Sequence, residues 1–272
     1  MSPATNSRTA LVTGATIGIG REIAELYAAR GVHLVLVARN AEGLALAAKD
    51  LSARHGIRCE TLSLDLSAPN AAEKVFRFTE DRKIDVTDLV NNAGFGAAGR
   101  FDAIDWKTSD EMIRLNITAL AELTYRYLPK LKAIPAADGG GRILNVGSIA
   151  AFQPGPLMAV YYASKAFVVS FSEALSEELS GSGVTVTCLC PGPTLTGFQE
   201  RAAIAKVPLF KSAFVMTARE VAESGLAGLY AGKRVVIPGS LNRMAAGISR
   251  LTPHGITLKA VRRLHTQARG EP

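Results

Sequence analysis

Tyr161 and Lys165 stand four residues apart in the stretch Tyr161-Tyr162-Ala163-Ser164-Lys165. On a helix that spacing puts both side chains on one face, with Cβ atoms ~5–6 Å apart. The chemistry it permits is proton transfer to an oxygen. A free phenol titrates near pKa ~10, too high for efficient exchange at neutral pH. An ammonium about 5 Å away, at an effective dielectric near ~20, favours the phenolate by roughly 3 kcal/mol. That is worth about two pKa units, so Lys165 is expected to bring Tyr161 toward working pH. Such pairs are common on ordinary helices, and this one gains meaning only from its surroundings.

A second group of residues is suited to phosphate. Thr13-Gly14-Ala15-Thr16-Ile17-Gly18-Ile19-Gly20 follows a short apolar run. A dinucleotide's pyrophosphate needs backbone N–H donors and close approach at a helix N-terminus, and glycines permit both. The spacing is G-x-x-x-G-x-G, not the G-x-G-x-x-G of the general fingerprint. Any tight strand-to-helix turn uses glycine, so its place between the first strand and first helix carries the weight. The second apolar run ends in Ala38-Arg39-Asn40, where NAD-binding proteins carry an acid for the ribose 2′-hydroxyl. Here no carboxylate repels a 2′-phosphate, and Arg39 can pair with one. Such charged hydrogen bonds contribute about 1.5–3 kcal/mol, a roughly ten- to hundredfold preference. NADP(H) is the expected cofactor.

The elements that must position these groups alternate. Strands are expected at Ala10–Thr13, His33–Ala38, Arg58–Leu64, Thr87–Val90, Arg142–Val146, Val184–Cys190 and Arg234–Ile237. Helices are expected at about Gly20–Arg30, Ala41–Arg54, Ala71–Glu80, Ser109–Ala133, Tyr161–Leu179 and Ala218–Tyr230. Pro129 either kinks or ends the fourth of these. The pattern predicts an α/β protein with a parallel sheet of about seven strands and helices on both faces. There are no internal repeats. One domain is expected over residues 1–272, with its core at about 8–239 and an extension at 240–272.

Taken with Asn91-Asn92-Ala93-Gly94, these motifs resemble the short-chain dehydrogenase/reductase family, in its common single-domain branch, over roughly residues 8–240. The resemblance implies a doubly wound, Rossmann-type domain. It implies that Gly14, Thr16, Ile17, Gly18, Ile19 and Gly20 hold the cofactor with Arg39. Asp65, with Leu66 beside it, contacts the adenine, and Asn92, Ala93 and Gly94 lie along the adenine-ribose side. Pro191, Gly192 and Thr194 hold the nicotinamide end. The family motif selects Tyr161 over Tyr162, because it requires four residues to the lysine. Ser148, thirteen residues upstream, matches the serine that hydrogen-bonds the substrate carbonyl. Asn116 matches the helix asparagine of a water-mediated proton relay, and Lys165 also binds the nicotinamide ribose. The implied reaction is reversible reduction of a carbonyl by NADPH, with Tyr161 supplying the proton. Homodimers or homotetramers are the usual assemblies.

The family places a loop over the substrate at about residues 193–216. Here it carries Leu195, Phe198, Val207, Leu209, Phe210, Phe214 and Met216, with Phe95, Phe152, Pro154, Pro156 and Met158 flanking the active-site strands. An apolar lid points to an apolar ketone, such as a 3-oxoacyl chain or a steroid-like substrate. The same residues could equally pack on the domain or on a partner subunit. In the extension, Met244, Ile248 and Leu251 recur at helical spacing before Pro253, and Leu258 and Val261 follow it. The readings, in order, are a cap on the pocket, a dimer interface, and a membrane-surface helix.

Composition bounds the rest. The 272 residues are 48% hydrophobic and 20% charged, too apolar for disorder. No apolar run approaches the ~18 residues of a membrane span, and a cytoplasmic location is expected. Three cysteines make no disulfide framework or C-x-x-C pair, so Cys188 and Cys190 read as buried thiols and no metal is expected. The net charge of +7 raises the question of nucleic acid. The basic residues are scattered, however, and Arg262, Arg263, His265 and Arg269 read as a solvated basic tail. The rival functional reading is an NADP(H) sensor of the same fold without turnover, which the intact Asn116, Ser148, Tyr161 and Lys165 set opposes.

Overall fold

The computed structural model describes residues 8–196 and 215–269. Six strands alternate with helices over its first two thirds. They are β1 (Thr9–Thr13), β2 (His33–Ala38), β3 (Cys59–Ser63), β4 (Asp88–Asn91), β5 (Arg142–Val146) and β6 (Thr185–Leu189). The first three are followed by α1 (Gly18–Ala28), α2 (Ala41–His55) and α3 (Ala71–Asp81). With the short β9 (Val235–Val236), the strands form a seven-stranded sheet in the order β3-β2-β1-β4-β5-β6-β9. All six pairings in it are parallel. The α/β reading is thus realised, with element ends displaced by at most three residues.

Alternation along the strands divides the core. On β1, Ala10 and Val12 join Leu34 and Leu36 of β2 against α1 and α2 on one face. Leu11, Val35 and Val37 face the opposite way, with α3 and the helix that precedes β5. Both faces of the sheet are therefore dry, which is why its strands read as apolar runs. Chain order reverses between β1 and β4, and their carboxyl ends diverge there. A crevice at such a switch point is where open α/β sheets bind ligands.

Three segments of the chain bear on the site. The single helix expected over Ser109–Ala133 is α4 (Trp106–Ile113), a π-helical turn (Arg114–Ala119) and α5 (Leu120–Lys132). Asp105 caps α4 by accepting from Lys107 N–H. Pro129 lies inside α5 near its end, and Ala133 N–H closes back on the Pro129 and Lys130 carbonyls. Second, residues 197–214, and with them Phe198, Val207, Leu209, Phe210 and Phe214 of the expected lid, lie outside the described residues. The base of that segment is a two-stranded ribbon, β7 (Thr194–Leu195) pairing with β8 (Met216–Thr217). Third, after α6 (Ala159–Glu178) and α7 (Ala218–Tyr230), the extension folds as α8 (Ser240–Leu251) and α9 (His254–Arg269). Met244, Ile248 and Leu251 face solvent. It is Asn242, Ala246, Thr257, Val261 and His265 that are buried. Among the described residues no helix is long and apolar enough to cross a membrane.

Candidate active site

The glycine turn is built from β1 outward. Gly14 and Gly18 have φ of +67° and +61°, values that an L side chain adopts only with strain. Ile17 begins α1 in an extended conformation, and no side chain caps the helix. The first-turn N–H groups thus point outward beside the positive end of the helix dipole, a fit for a pyrophosphate. The turn is braced from β4. Asn92 Nδ2 donates to the carbonyls of Thr13 (2.9 Å) and Gly14 (3.2 Å). Thr13 Oγ1 in turn accepts the N–H groups of Asn92 and Ala93, both at 3.0 Å.

Arg39 follows β2 at the rim, more than half exposed, with its Nη1 3.9 Å from Asp65 Oδ2. Asp65 Oδ1 is taken by the Ser67 N–H and hydroxyl, at 2.9 and 2.7 Å. An ion pair this long and this exposed contributes at most about 1 kcal/mol. It does not hold the guanidinium back from a phosphate. Asn40 caps α2 by accepting Gly43 N–H at 3.0 Å, which fixes the chain direction just after Arg39.

Helix α6 carries Tyr161 and Lys165 one turn apart, both buried. Lys165 Nζ donates to Val146 O at 2.8 Å and lies 5.9 Å from the Tyr161 ring centroid. Ser148 leaves β5 in an extended conformation, its Oγ accepting Ala150 N–H at 3.1 Å. Burial pushes the Tyr161 phenol up to about 12, a hydrogen bond with Ser148 pulling the other way. Burial also pushes the Lys165 ammonium down to about 8. This reverses the direction expected from sequence. Desolvation of the phenol dominates, and the Lys165 ammonium is itself desolvated and turned toward the Val146 carbonyl.

Asn116 sits on the π-helical turn, 2% exposed. Its amide donates to Phe95 O and Ser164 Oγ, each at 3.0 Å, and its Oδ1 accepts Phe95 N–H at 3.2 Å. The widened turn is what aims the side chain inward, and π-turns recur at functional sites. Gly94 passes over it closely: a Cβ there would lie 3.0 Å from Asn116 Oδ1 and 3.5 Å from Lys165 Nζ.

These groups surround one cavity of about 570 Å³. Gly14, Thr16, Ile17, Gly18, Ile19, Arg39, Asp65, Leu66, Asn92, Ala93 and Gly94 line its cofactor side. Ser148, Tyr161, Lys165, Pro191, Gly192 and Thr194 line the remainder. Gly20 and Asn116 do not reach the cavity. Gly20 packs behind the turn and Asn116 behind the wall. Sequence reasoning missed Gln153, Tyr162, Leu264 and His265, which also line it. His265 is 6% exposed, with its Nε2 3.0 Å from the Tyr162 hydroxyl. It is therefore no part of a solvated basic tail, although Arg262 and Arg263 are exposed as expected. The one signal in the sequence was Val261 and Leu264 flanking a histidine at helical spacing. Of the three readings of the extension, a cap on the cavity describes what Leu264 and His265 do.

Comparison with known proteins agrees with this architecture. The family described as short chain dehydrogenase matches residues 8–206. Sulfoacetaldehyde reductase 2 of Chromohalobacter salexigens is 40% identical over 192 residues, which is 69% of this chain and 73% of that protein. A very-long-chain 3-oxoacyl-CoA reductase of Laccaria bicolor is 36% identical over 179 residues, and the match spans only 52% of that protein's length. A solved short-chain dehydrogenase from Sphingobium yanoikuyae, in complex with NADPH, superposes with a TM-score of 0.77 at 35% identity, covering 89% of this chain and 92% of that one. The family match runs unbroken from β1 through the glycine turn to the helix of Tyr161 and Lys165, and on that ground this protein belongs to the short-chain dehydrogenase family of oxidoreductases.

Proposed function

We propose that this enzyme reduces the carbonyl of an apolar ketone with NADPH, using Ser148 and Tyr161 at the reacting oxygen and Lys165 and Asn116 behind them. The observation that carries the proposal is the Tyr161 hydroxyl itself, buried at the cavity wall in a hydrogen bond with Ser148. The uncapped start of α1 and the exposed Arg39 fit a dinucleotide with a 2′-phosphate, as does likeness to an NADPH complex. When bound, the dinucleotide supplies the hydride.

The chain's own residues do the rest. The Ser148 hydroxyl donates to the carbonyl oxygen and polarises it. Tyr161 then gives that oxygen its proton. A phenol pushed up to about 12 is fully protonated at neutral pH, the form an acid must have. Lys165, at about 8, remains largely cationic there and stabilises the phenolate as it forms. Asn116 holds the Phe95 backbone and Ser164 in place, which keeps Lys165 and Gly94 in register. Ala150, Met158 and Leu264 give the wall its apolar character.

The test follows loss of reduced-nicotinamide absorbance over aldehydes, 3-oxoacyl thioesters and polycyclic ketones, with NADPH and with NADH. Turnover that prefers NADPH and falls at least ~10²-fold in Tyr161→Phe is expected. Full activity in that variant would overturn the mechanism.

A further inference from the structure

Beside Tyr161 the cavity wall is apolar, built from Ala150, Met158 and Leu264. A polar cluster of Gln153, Tyr162 and His265 interrupts it. The Tyr162 ring packs edge-on to Tyr161, with centroids 6.0 Å apart at 79°, and edge-on to His265, 5.9 Å apart at 84°. Gly155 lies flat against that ring, where a Cβ would come within 2.2 Å of its carbons. The phenol is hydrogen-bonded by His265 Nε2 and by the Gln153 side chain. Gln153 is held in turn by the Ser249 hydroxyl of α8. A chain of hydrogen bonds thus runs from α8 through the cavity wall to α9.

A simple strut fastening the extension would not need this chemistry. Burying a histidine and an amide costs desolvation that a leucine would avoid, and Leu264 already packs at the neighbouring position. Gln153, Tyr162 and His265 all line the cavity. Together they have more donors and acceptors than they spend on one another. A few polar groups in an otherwise apolar pocket fix ligand orientation and give specificity.

We propose that Gln153, Tyr162 and His265 form a specificity-determining anchor for a second, uncharged oxygen function of the substrate, remote from the carbonyl that is reduced. The proposal deepens the reductase reading above and rests on it. Two centroid steps of 6.0 and 5.9 Å keep the His265 ring within about 12 Å of the Tyr161 ring. The ligand class is a compact, apolar hydroxyketone or diketone. A carboxylate is disfavoured, because burial lowers the basicity of His265 and its neighbours Lys259, Arg262 and Arg263 on the same helix are exposed.

The test uses the full chain with NADPH and a set of decalones, each with a ring hydroxyl remote from the ketone, beside the parent decalone. Wild type is expected to prefer at least one hydroxydecalone by about tenfold in kcat/KM, carried by KM. Tyr162→Phe and His265→Leu should each bring that ratio close to one, and His265→Asn should restore part of it. A merely structural role would lower both substrates together and leave the ratio intact. That result, or a wild type without preference among the isomers, overturns the anchor. If wild type turns over no decalone, the reductase reading has failed for this class. The anchor is then judged by calorimetric binding of the hydroxydecalones to the enzyme–NADP⁺ complex. A roughly tenfold loss in Tyr162→Phe supports it, and unchanged binding refutes it.

Discussion

A methyl group on Gly20 would lie 2.3 Å from Asn92 Nδ2 and 2.4 Å from Gly14 O. Gly20 never touches the cavity, yet it is what lets Asn92 reach back and tie the glycine turn to β4. Gly20→Ala must push Asn92 off the Thr13 and Gly14 carbonyls or move the backbone. The expected outcome is a loss of at least ~1–3 kcal/mol, the cost of leaving buried groups unsatisfied, together with a weakened Kd for NADPH. Thermal melting with and without NADPH reads both. An unchanged Kd would separate Gly20 from the cofactor site.

Thr13 permits a cleaner version of the same experiment. Thr13→Val conserves shape and deletes the oxygen that accepts two N–H groups at 3.0 Å. A destabilisation of about 2 kcal/mol is expected. The chemical step should be less affected than cofactor binding, so single-turnover rates at saturating NADPH discriminate.

Arg39→Ala is expected to raise the Kd for NADPH about ten- to hundredfold and that for NADH much less. Fluorescence titration of the two reduced cofactors measures the ratio. Equal losses for both would mean that Arg39 supports the rim without reading the 2′-phosphate.

Lys165 makes the protein's stability depend on pH. Its ammonium is pushed from an ordinary value of 10.5 down to about 8 by burial. Below pH 8 it is protonated in both folded and unfolded chains, and the folded state bears the full cost, about 3 kcal/mol. Between pH 8 and 10.5 the unfolded chain binds the extra proton, so stability attributable to this residue rises with pH. Lys165→Met removes the dependence while abolishing turnover. Melting curves of the two proteins from pH 7 to 9.5 should therefore converge or cross in wild type's favour. Parallel curves would show that the ammonium is less desolvated than its burial implies.

How far the sequence led depended on the range of the interactions involved. Tyr161 and Lys165 were legible because four residues on a helix fix a shared face. Arg39 was legible because a strand end fixes a place at the rim. The direction of the Tyr161 shift was not, since spacing names a charged neighbour but is silent about burial, and burial dominated. The π-helical turn at Asn116 was hidden inside the continuous helical pattern read from Ser109 to Ala133, because one widened turn leaves the apolar periodicity nearly intact. His265 was misread for a different reason. Its partner Tyr162 lies 103 residues away, and beside Arg262 and Arg263 a histidine looks like one more surface cation.

The position of α9 carries a consequence for how such an enzyme changes over time. The family match ends at residue 206, whereas Leu264 and His265 complete the cavity wall from beyond it. The groups proposed for hydride and proton transfer all belong to the matched part. Substitutions in the last helix can therefore redraw what the pocket accepts without disturbing the machinery that acts on it. Selection for a new substrate would find its shortest route there, and exchanging the tail between relatives is the corresponding move for an engineer.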